Sequence, residues 1–390
     1  LALIARLGDC AGVPRVAFRS PAEFFDRCER DLQDPAVWIG ELYLELHRGT
    51  YTTQAAVKRD NRRCEELLRD TELLAALAYA RGRAAYPAEA MERLWKTVLF
   101  NQFHDVLPGS SIGEVYRDAA RDHAGVLAEG GALRDGAIAA LLGKGNAFAV
   151  VNTLDHDRRE IVELPDIGPN GLQCSADGRA LALLSAPAMG FAPAAPAAPS
   201  APATVREDRD AVTLENERLR AVLGRDGRLR SFVEKTLARE AVPEGETANR
   251  FVLFDDRPNQ WDAWDTDAFH LEKFDFVPPA RAFRVIERGP LRVAVEAEFR
   301  LSEQSWIRQR VLLAADARRL EFDTEVEWRE RAKFLKVEFP VAARCEYATY
   351  EIQFGHVRRP THFNTSWDWA RFEVCAHRWA DFSEPGFGMA

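Results

Sequence analysis

Leu141-Leu-Gly-Lys-Gly-Asn-Ala-Phe-Ala-Val-Val-Asn152 is the stretch at which the hydrophobic period of this chain changes. Upstream, apolar residues recur every three or four positions; downstream they alternate. A period near 3.6 buries one stripe of a helix, and a period of two buries one face of a strand. Gly143–Asn146 is therefore predicted to separate a helical region from a β region.

Upstream of that boundary the pattern predicts three helices. The first runs from Thr53 towards Arg81, with Leu67, Leu68, Leu74 and Leu77 at helical spacing. The second starts at Pro87, a good first-turn residue, and carries Met91, Leu94, Val98 and Leu99. It is expected to stop near Asp105, because Pro108-Gly109 cannot continue it. The third follows Ser110-Ser111, where Ser111 and Glu114 have the spacing of a capping box. Helices joined by short turns pack antiparallel, so a bundle is expected. Further upstream, Pro21–Leu32 has helical character behind Ser20 as a cap. Glu41–His47 alternates and reads as a strand, with Leu42, Leu44 and Leu46 on one face. So short a mixed segment cannot bury a core by itself and reads as the tail of something larger.

Downstream, Ala147–Asn152 and Arg159–Leu164 read as strands, and Leu214–Phe232 as a hairpin around Asp226-Gly227. Leu291 to Phe299 and Leu320 to Trp328 alternate. Many strands with no helical pattern between them indicate a β-sandwich. The Ala/Pro run over 186–203 is expected to be an exposed, extended spacer.

The chain of 390 residues is 47% hydrophobic and 29% charged, as soluble globular proteins are. Its net charge of -9 argues against nucleic acid or an anionic membrane surface as partner. Six scattered cysteines without a CxxC pair argue against a disulfide framework and for a reducing, cytoplasmic setting. No signal peptide is visible, and the opening Leu-Ala-Leu-Ile lacks a methionine, so the true N-terminus is expected to lie further upstream. Five prolines between 187 and 202 exclude a membrane helix from the least polar stretch.

The most informative polar run is Asn101-Gln-Phe-His-Asp105, followed by Pro108-Gly109. Neighbouring residues on a helix point about 100° apart, so His104 and Asp105 can address one site only beyond the helix end. Two readings are open at this point. A neutral imidazole there is a good zinc ligand beside a carboxylate that can bind metal or sugar hydroxyls. Alternatively, His104 merely caps the helix C-terminus, where a cation is favourable. Asp255, Asp256, Asp262 and Asp265 cluster with Trp261 and Trp264; this is either a sugar-binding group or a loop with solvated acids. His362, Trp367, Asp368, Glu373 and His377 are either a second metal site or a hydrogen-bond network.

The run Gln102-Phe-His-Asp105 with Leu107-Pro-Gly-Ser-Ser-Ile112 resembles the His-Asp motif of glycoside hydrolase family 38, the α-mannosidases. Glu41–Gln54, Phe254–Pro258, Trp261–Asp265, Arg359–Asp368, Arg371–Glu373 and His377–Glu384 resemble the bacterial and cytosolic branch of that family, in order and nearly end to end. The resemblance implies a multidomain α+β chain. Residues 1–50 would be the tail of a catalytic α/β domain, 51–143 an antiparallel three-helix bundle, and 144–390 a large antiparallel β-sandwich. It implies zinc-dependent (or other divalent-metal) retaining hydrolysis of terminal α-mannosides of oligosaccharides. His104 would be one zinc ligand, and Asp105 would lie beside the bound mannose. Glu41, with Glu45 behind it, would be the acid/base carboxylate, and His47 would edge the pocket. Asp262 and Asp265 are added as sugar-binding residues. The family's His-x-Asp zinc motif is absent from the sequence. The nucleophile and the other zinc ligands are therefore expected upstream of Leu1, and the chain alone is expected to be inactive. Relatives often assemble, so a homo-oligomer is one of the states left open. The rival readings are a non-catalytic carbohydrate-binding or assembly protein, and a glycosidase whose acid pair lies among the sandwich acids.

Overall fold

A computed structural model describes residues 2–143, 145, 147–164 and 173–390. The chain forms two compact units, Leu1–Tyr43 and Leu44–Ala390. The expected boundary at Gly143–Asn146 falls partly on Lys144 and Asn146, outside the described residues.

The first unit contains two helices, α1 (Ala2–Leu7) and α2 (Pro21–Asp31). Ser20 caps α2 in a complete capping box: its hydroxyl accepts from the Glu23 amide, and the Glu23 carboxylate accepts from the Ser20 amide. The strand expected over Glu41–His47 does not form; residues 41–44 are irregular and 45–46 bend. A strand exists only through ladder bonds to a neighbour, and none of the described strands pairs with this segment. Its leucine face is accordingly uncovered, with Leu42 81% exposed.

The second unit opens with a short 3₁₀ turn, Arg48–Tyr51, and then three helices: α3 (Ala55–Ala80), α4 (Ala88–Asn101) and α5 (Gly113–Leu142). Their facing stripes meet in a core of Cys64, Leu68, Met91, Leu94, Val98 and Val126. Two expectations about helix ends need correction. α4 stops at Asn101, short of Asp105, and the chain turns from Gln102 to Gly109. The Ser111–Glu114 capping box is not made. Ser111 Oγ instead donates to the Asp105 carbonyl (2.6 Å), leaving Ile112 as N-cap, and Glu114 pairs with Arg117.

Beyond the bundle every strand pairing among the described residues is antiparallel. A five-stranded sheet (Thr204–Glu207, Ala211–Glu215, Leu219–Gly224, Leu229–Glu234, Arg239–Glu240) faces a four-stranded one (Ala282–Arg288, Arg292–Arg300, Trp306–Ala314, Glu321–Glu327). Val212, Leu214, Ala221 and Leu223 interleave there with Val293, Val295, Val311 and Leu313, all fully buried. This is a sandwich core. The alternation from Leu320 to Trp328 is less covered than that of Leu291 to Phe299, because Glu321–Glu327 is an edge strand. Among the described residues the region also has two two-stranded pairings, Ala149–Asn152 with Gly190–Pro193 and Arg158–Leu164 with Ala180–Ala186, and two further sheets. One joins Arg250–Asp255 to Phe274–Phe276 and Lys333–Glu338; the other contains Tyr347–Ile352 and Gly355–Pro360.

The Ala/Pro run over 186–203 is not a free spacer. Gly190–Pro193 pairs with Ala149–Asn152, Ala197 bridges Leu183, and Ala203 donates to Pro290 O (2.8 Å) and is buried. Alanine is small enough, and proline stiff enough, to lie flat against a sheet, which is how a run that reads as linker becomes packed chain. The bundle joins the sheets where Val151 and Phe191 pack on Leu74, Ala75 and Ala137.

Candidate functional site

The turn after α4 is fastened before it presents anything. Asn101 Nδ2 donates to Asp122 Oδ2 (3.0 Å) on α5. Gln102 Nε2 donates to Glu65 Oε1 (2.8 Å) and Asn61 Oδ1 (3.1 Å) on α3. Lys58 Nζ, also from α3, donates to the carbonyls of Thr53 (2.5 Å), Leu107 (2.9 Å) and Pro108 (3.2 Å). Burial lowers the Lys58 pKa to about 8. Gly109 has φ +96°, and a Cβ there would sit 2.5 Å from the Thr53 carbonyl oxygen, so this approach admits only glycine.

On that fastened turn His104 and Asp105 stand outward. The His104 side chain is 74% exposed, and its Nε2 lies 3.3 Å from Asp105 Oδ2. The other Asp105 oxygen accepts from Ser110 Oγ (3.1 Å), which orients the carboxylate. The imidazole packs beside Phe103, ring centroids 4.2 Å apart.

A second turn and a loop converge on the same support. His47 takes a left-handed backbone (φ 63°) into the 3₁₀ turn, and its ring rests 4.6 Å from that of Trp264. Thr53 Oγ1 lies within hydrogen-bond distance of the Gly49 (2.7 Å) and Ala263 (3.0 Å) carbonyls. Arg48 and Asp265, both buried, clamp the two segments. The Arg48 amide donates to Asp265 Oδ1 (3.2 Å), with the guanidinium 3.8 Å from that oxygen. Arg48 Nη2 also donates to Ala370 O (2.9 Å), and the guanidinium covers the Phe372 ring. Asp265 Oδ1 further accepts from Thr266 N (3.0 Å). Asp265 is thus engaged with protein donors, whereas Asp262 is exposed. Thr53 is the common support of the His104–Asp105 turn, the His47 turn and the 261–265 loop.

The remaining residues singled out from the sequence lie in other settings. Glu41, in the first unit, is half-buried, and its carbonyl accepts from Trp38 Nε1 (3.1 Å). Glu45 is exposed and its carbonyl accepts from Arg48 Nη1 (3.0 Å). Asp255 is bound by Lys273 and Lys333, whose hydrogen bonds hold its carboxyl at about 2. Burial pushes the Asp256 carboxyl up, and its Oδ1 has no hydrogen-bond partner among the described residues. Glu373 pairs with Lys336 and with buried His270 (3.4 Å). Burial opposes the ionised form of Glu373, but those two partners outweigh it and lower its pKa. Asp368 caps the short helix α6 (Ser366–Ala370) through Thr365 and lies 3.4 Å from His362. Glu373 and Asp368, both weighed for a second metal site, are thus engaged in two separate sets of contacts.

Zinc takes four donors of the imidazole, thiolate or carboxylate kind. His104 and Asp105 are suitable in type and adjacent. Among the described residues, however, no group of three or more His, Cys, Asp or Glu could hold a metal. The donors present fit one edge of a zinc site and do not close it. Sequence reading missed Lys58, Arg48 and Thr53 as supports. Arg48 and Thr53 fall inside the Glu41–Gln54 run quoted above, but their partners Asp265, Ala370 and Ala263 are distant in sequence.

Comparison with known proteins gives a consistent picture. Residues 45–141 match the alpha mannosidase middle domain, and residues 214–390 the glycosyl hydrolases family 38 C-terminal domain. Alpha-mannosidase 2C1 of Homo sapiens is 44% identical over 99% of this chain, and alpha-mannosidase G of Dictyostelium discoideum is 36% identical over 98%. The chain spans 38% and 40% of their lengths, about two-fifths of each. A crystal structure of an alpha-mannosidase from Enterococcus faecalis V583 aligns with a TM-score of 0.70 at 17% identity. That alignment covers 91% of this chain and 51% of that one.

Proposed function

Because the chain belongs to glycosyl hydrolase family 38, whose middle and C-terminal domains it carries, we propose that it is a working part of a zinc-dependent, retaining α-mannosidase acting on terminal α-mannosides of oligosaccharides or glycans. The observation that supports this reading is the His104–Asp105 pair, exposed on a turn held by Lys58, Gln102 and the Thr53 contact. In this reading His104 would be one ligand of the metal. Asp105, kept in place by Ser110, accepts hydroxyl protons of the mannose. Bound zinc, or another divalent ion in its place, would orient sugar hydroxyls and draw off developing charge. Glu41 keeps, on the sequence resemblance alone, the acid/base role, which gives a proton to the leaving oxygen and then takes one from water. His47, backed by Trp264, forms a wall of the pocket. The attacking carboxylate and the remaining metal ligands are assigned to the part of the relatives' length that this chain does not span. A cytoplasmic setting follows from the cysteine usage, and a homo-oligomer belongs to the same reading. No helix among the described residues is long and apolar enough to cross a membrane.

The test is hydrolysis of 4-nitrophenyl α-mannoside. The isolated chain is expected to give no turnover with or without zinc, and measurable turnover would refute that. In an active preparation that includes this chain, His104→Ala and Asp105→Asn should each lower kcat by about a hundredfold or more. Full activity after His104→Ala removes the metal-ligand role. Saturable mannoside binding with no turnover in any preparation would favour the non-catalytic carbohydrate-binding reading.

A further inference from the structure

Tryptophans are usually buried, yet Trp261 is 58% exposed. Its exposure is built into the loop. Trp261 and Ala263 both adopt left-handed backbones, φ 63° and 66°, which cost energy in residues bearing a Cβ. Such a conformation persists only where its surroundings over-determine it, and here they do. The Trp261 carbonyl accepts from both Trp264 N (2.8 Å) and Asp265 N (2.9 Å). Ala263 O faces Thr53 Oγ1 at 3.0 Å, and Asp265 is clamped by Arg48. Trp264 is turned against His47, and Trp261 makes a tilted contact with Trp264, centroids 6.3 Å apart and planes at 53°, while staying mostly exposed. Exposed Asp262 follows Trp261 directly.

We propose that Trp261 and Asp262 form a sugar-binding platform that takes a pyranose unit of the oligosaccharide other than the one held by His104 and Asp105. An indole face is electron-rich and attracts the weakly positive C–H groups on the apolar side of a pyranose ring. A carboxylate at the ring edge accepts from hydroxyl groups and fixes the orientation. The ligand class is a neutral oligosaccharide. The location agrees, because the loop carrying the platform and the turn carrying His104 both rest on Thr53. The backbone strain has a use on this assignment: it keeps a large apolar ring in water, ready to bind without reorganising.

The proposal rests on the α-mannoside reading for the identity of the sugar, and one experiment separates the two. The full 390-residue chain is titrated with an α-mannobiose, with cellobiose as comparator, by tryptophan fluorescence and saturation-transfer NMR. Wild type should bind mannobiose saturably at millimolar sugar. Trp261→Ala should weaken binding about tenfold, Trp261→Phe should retain most of it, and Asp262→Asn should weaken it less. Thermal melts check that the variants fold. If Trp261→Ala melts early, the Phe and Asn variants decide. Mannobiose binding that ignores Trp261, or no saturable binding by the wild-type chain, overturns the platform. Cellobiose bound through Trp261 as tightly as mannobiose keeps the platform and removes the mannoside assignment.

Discussion

Asp262 and Asp265 stand three residues apart with opposite surroundings, and at the scale of single residues that difference is testable. Asp265 is buried, and one of its oxygens is shared by the amides of Arg48 and Thr266 and faced by the Arg48 guanidinium. Asp265→Ala leaves that buried cation without its carboxylate and should cost about 3 kcal/mol in urea denaturation. Asp262→Ala, at an exposed position, should stay within about 0.5 kcal/mol. Equal losses would mean that the Arg48–Asp265 clamp is not what holds the loop. From sequence the two acids are indistinguishable, since both belong to one Trp-Asp-Ala-Trp-Asp run. Only the left-handed turns at Trp261 and Ala263 send one inward and leave the other outside. Lys58 was equally illegible: it reads as a solvated residue early in a helix, and two of its acceptors, Leu107 and Pro108, lie about fifty residues on.

At the scale of elements, α5 carries a charge-sensitive group in its buried stripe. His123 is 1% exposed, and neither ring nitrogen has a hydrogen-bond partner among the described residues. Burial lowers its pKa, with Asp60 and Asp122 pulling weakly the other way. In the unfolded chain a histidine takes its proton near pH 6.5. Below that pH the unfolded state therefore binds more protons than the folded one, and stability falls. The urea midpoint should drop between pH 7 and pH 5, and His123→Leu should reduce that drop. An unchanged pH slope in the variant would assign the effect to other groups. The helices themselves were legible, because each carries a full 3.6-residue stripe and closes its own hydrogen bonds. Glu41–His47 was not, because alternation says only that a segment suits a sheet edge. Ser111 misled in a related way: its hydroxyl turns to the Asp105 carbonyl, to which it donates, instead of to the helix amide it would accept from in a capping box.

At the scale of the whole molecule, the switch from helical to alternating period at Gly143–Asn146 announced a helical region followed by a sandwich. The convergence on Thr53 was not announced, because it joins turns and a loop separated by about two hundred residues. The same long-range wiring governs what can be cut away. The match to the C-terminal domain begins at Leu214, yet part of the sandwich core is supplied from before that point. Leu181 and Leu183 pack on Leu291. Ala203 and Val212 enter the main core, and Gln173 Oε1 accepts from the amides of Leu291 and Arg292 (2.8 and 3.0 Å). Removing those two leucines alone forfeits about 4 kcal/mol of burial, a large part of the usual 5–15 kcal/mol of a domain. A piece covering 214–390 should therefore be insoluble or bind a hydrophobic dye without a cooperative melt. A piece covering 44–390 keeps every one of these contacts and should melt cooperatively. If the shorter piece is soluble and melts within about 3 °C of the longer one, roughly the shift of 1 kcal/mol, the strands before Leu214 are ornament rather than core.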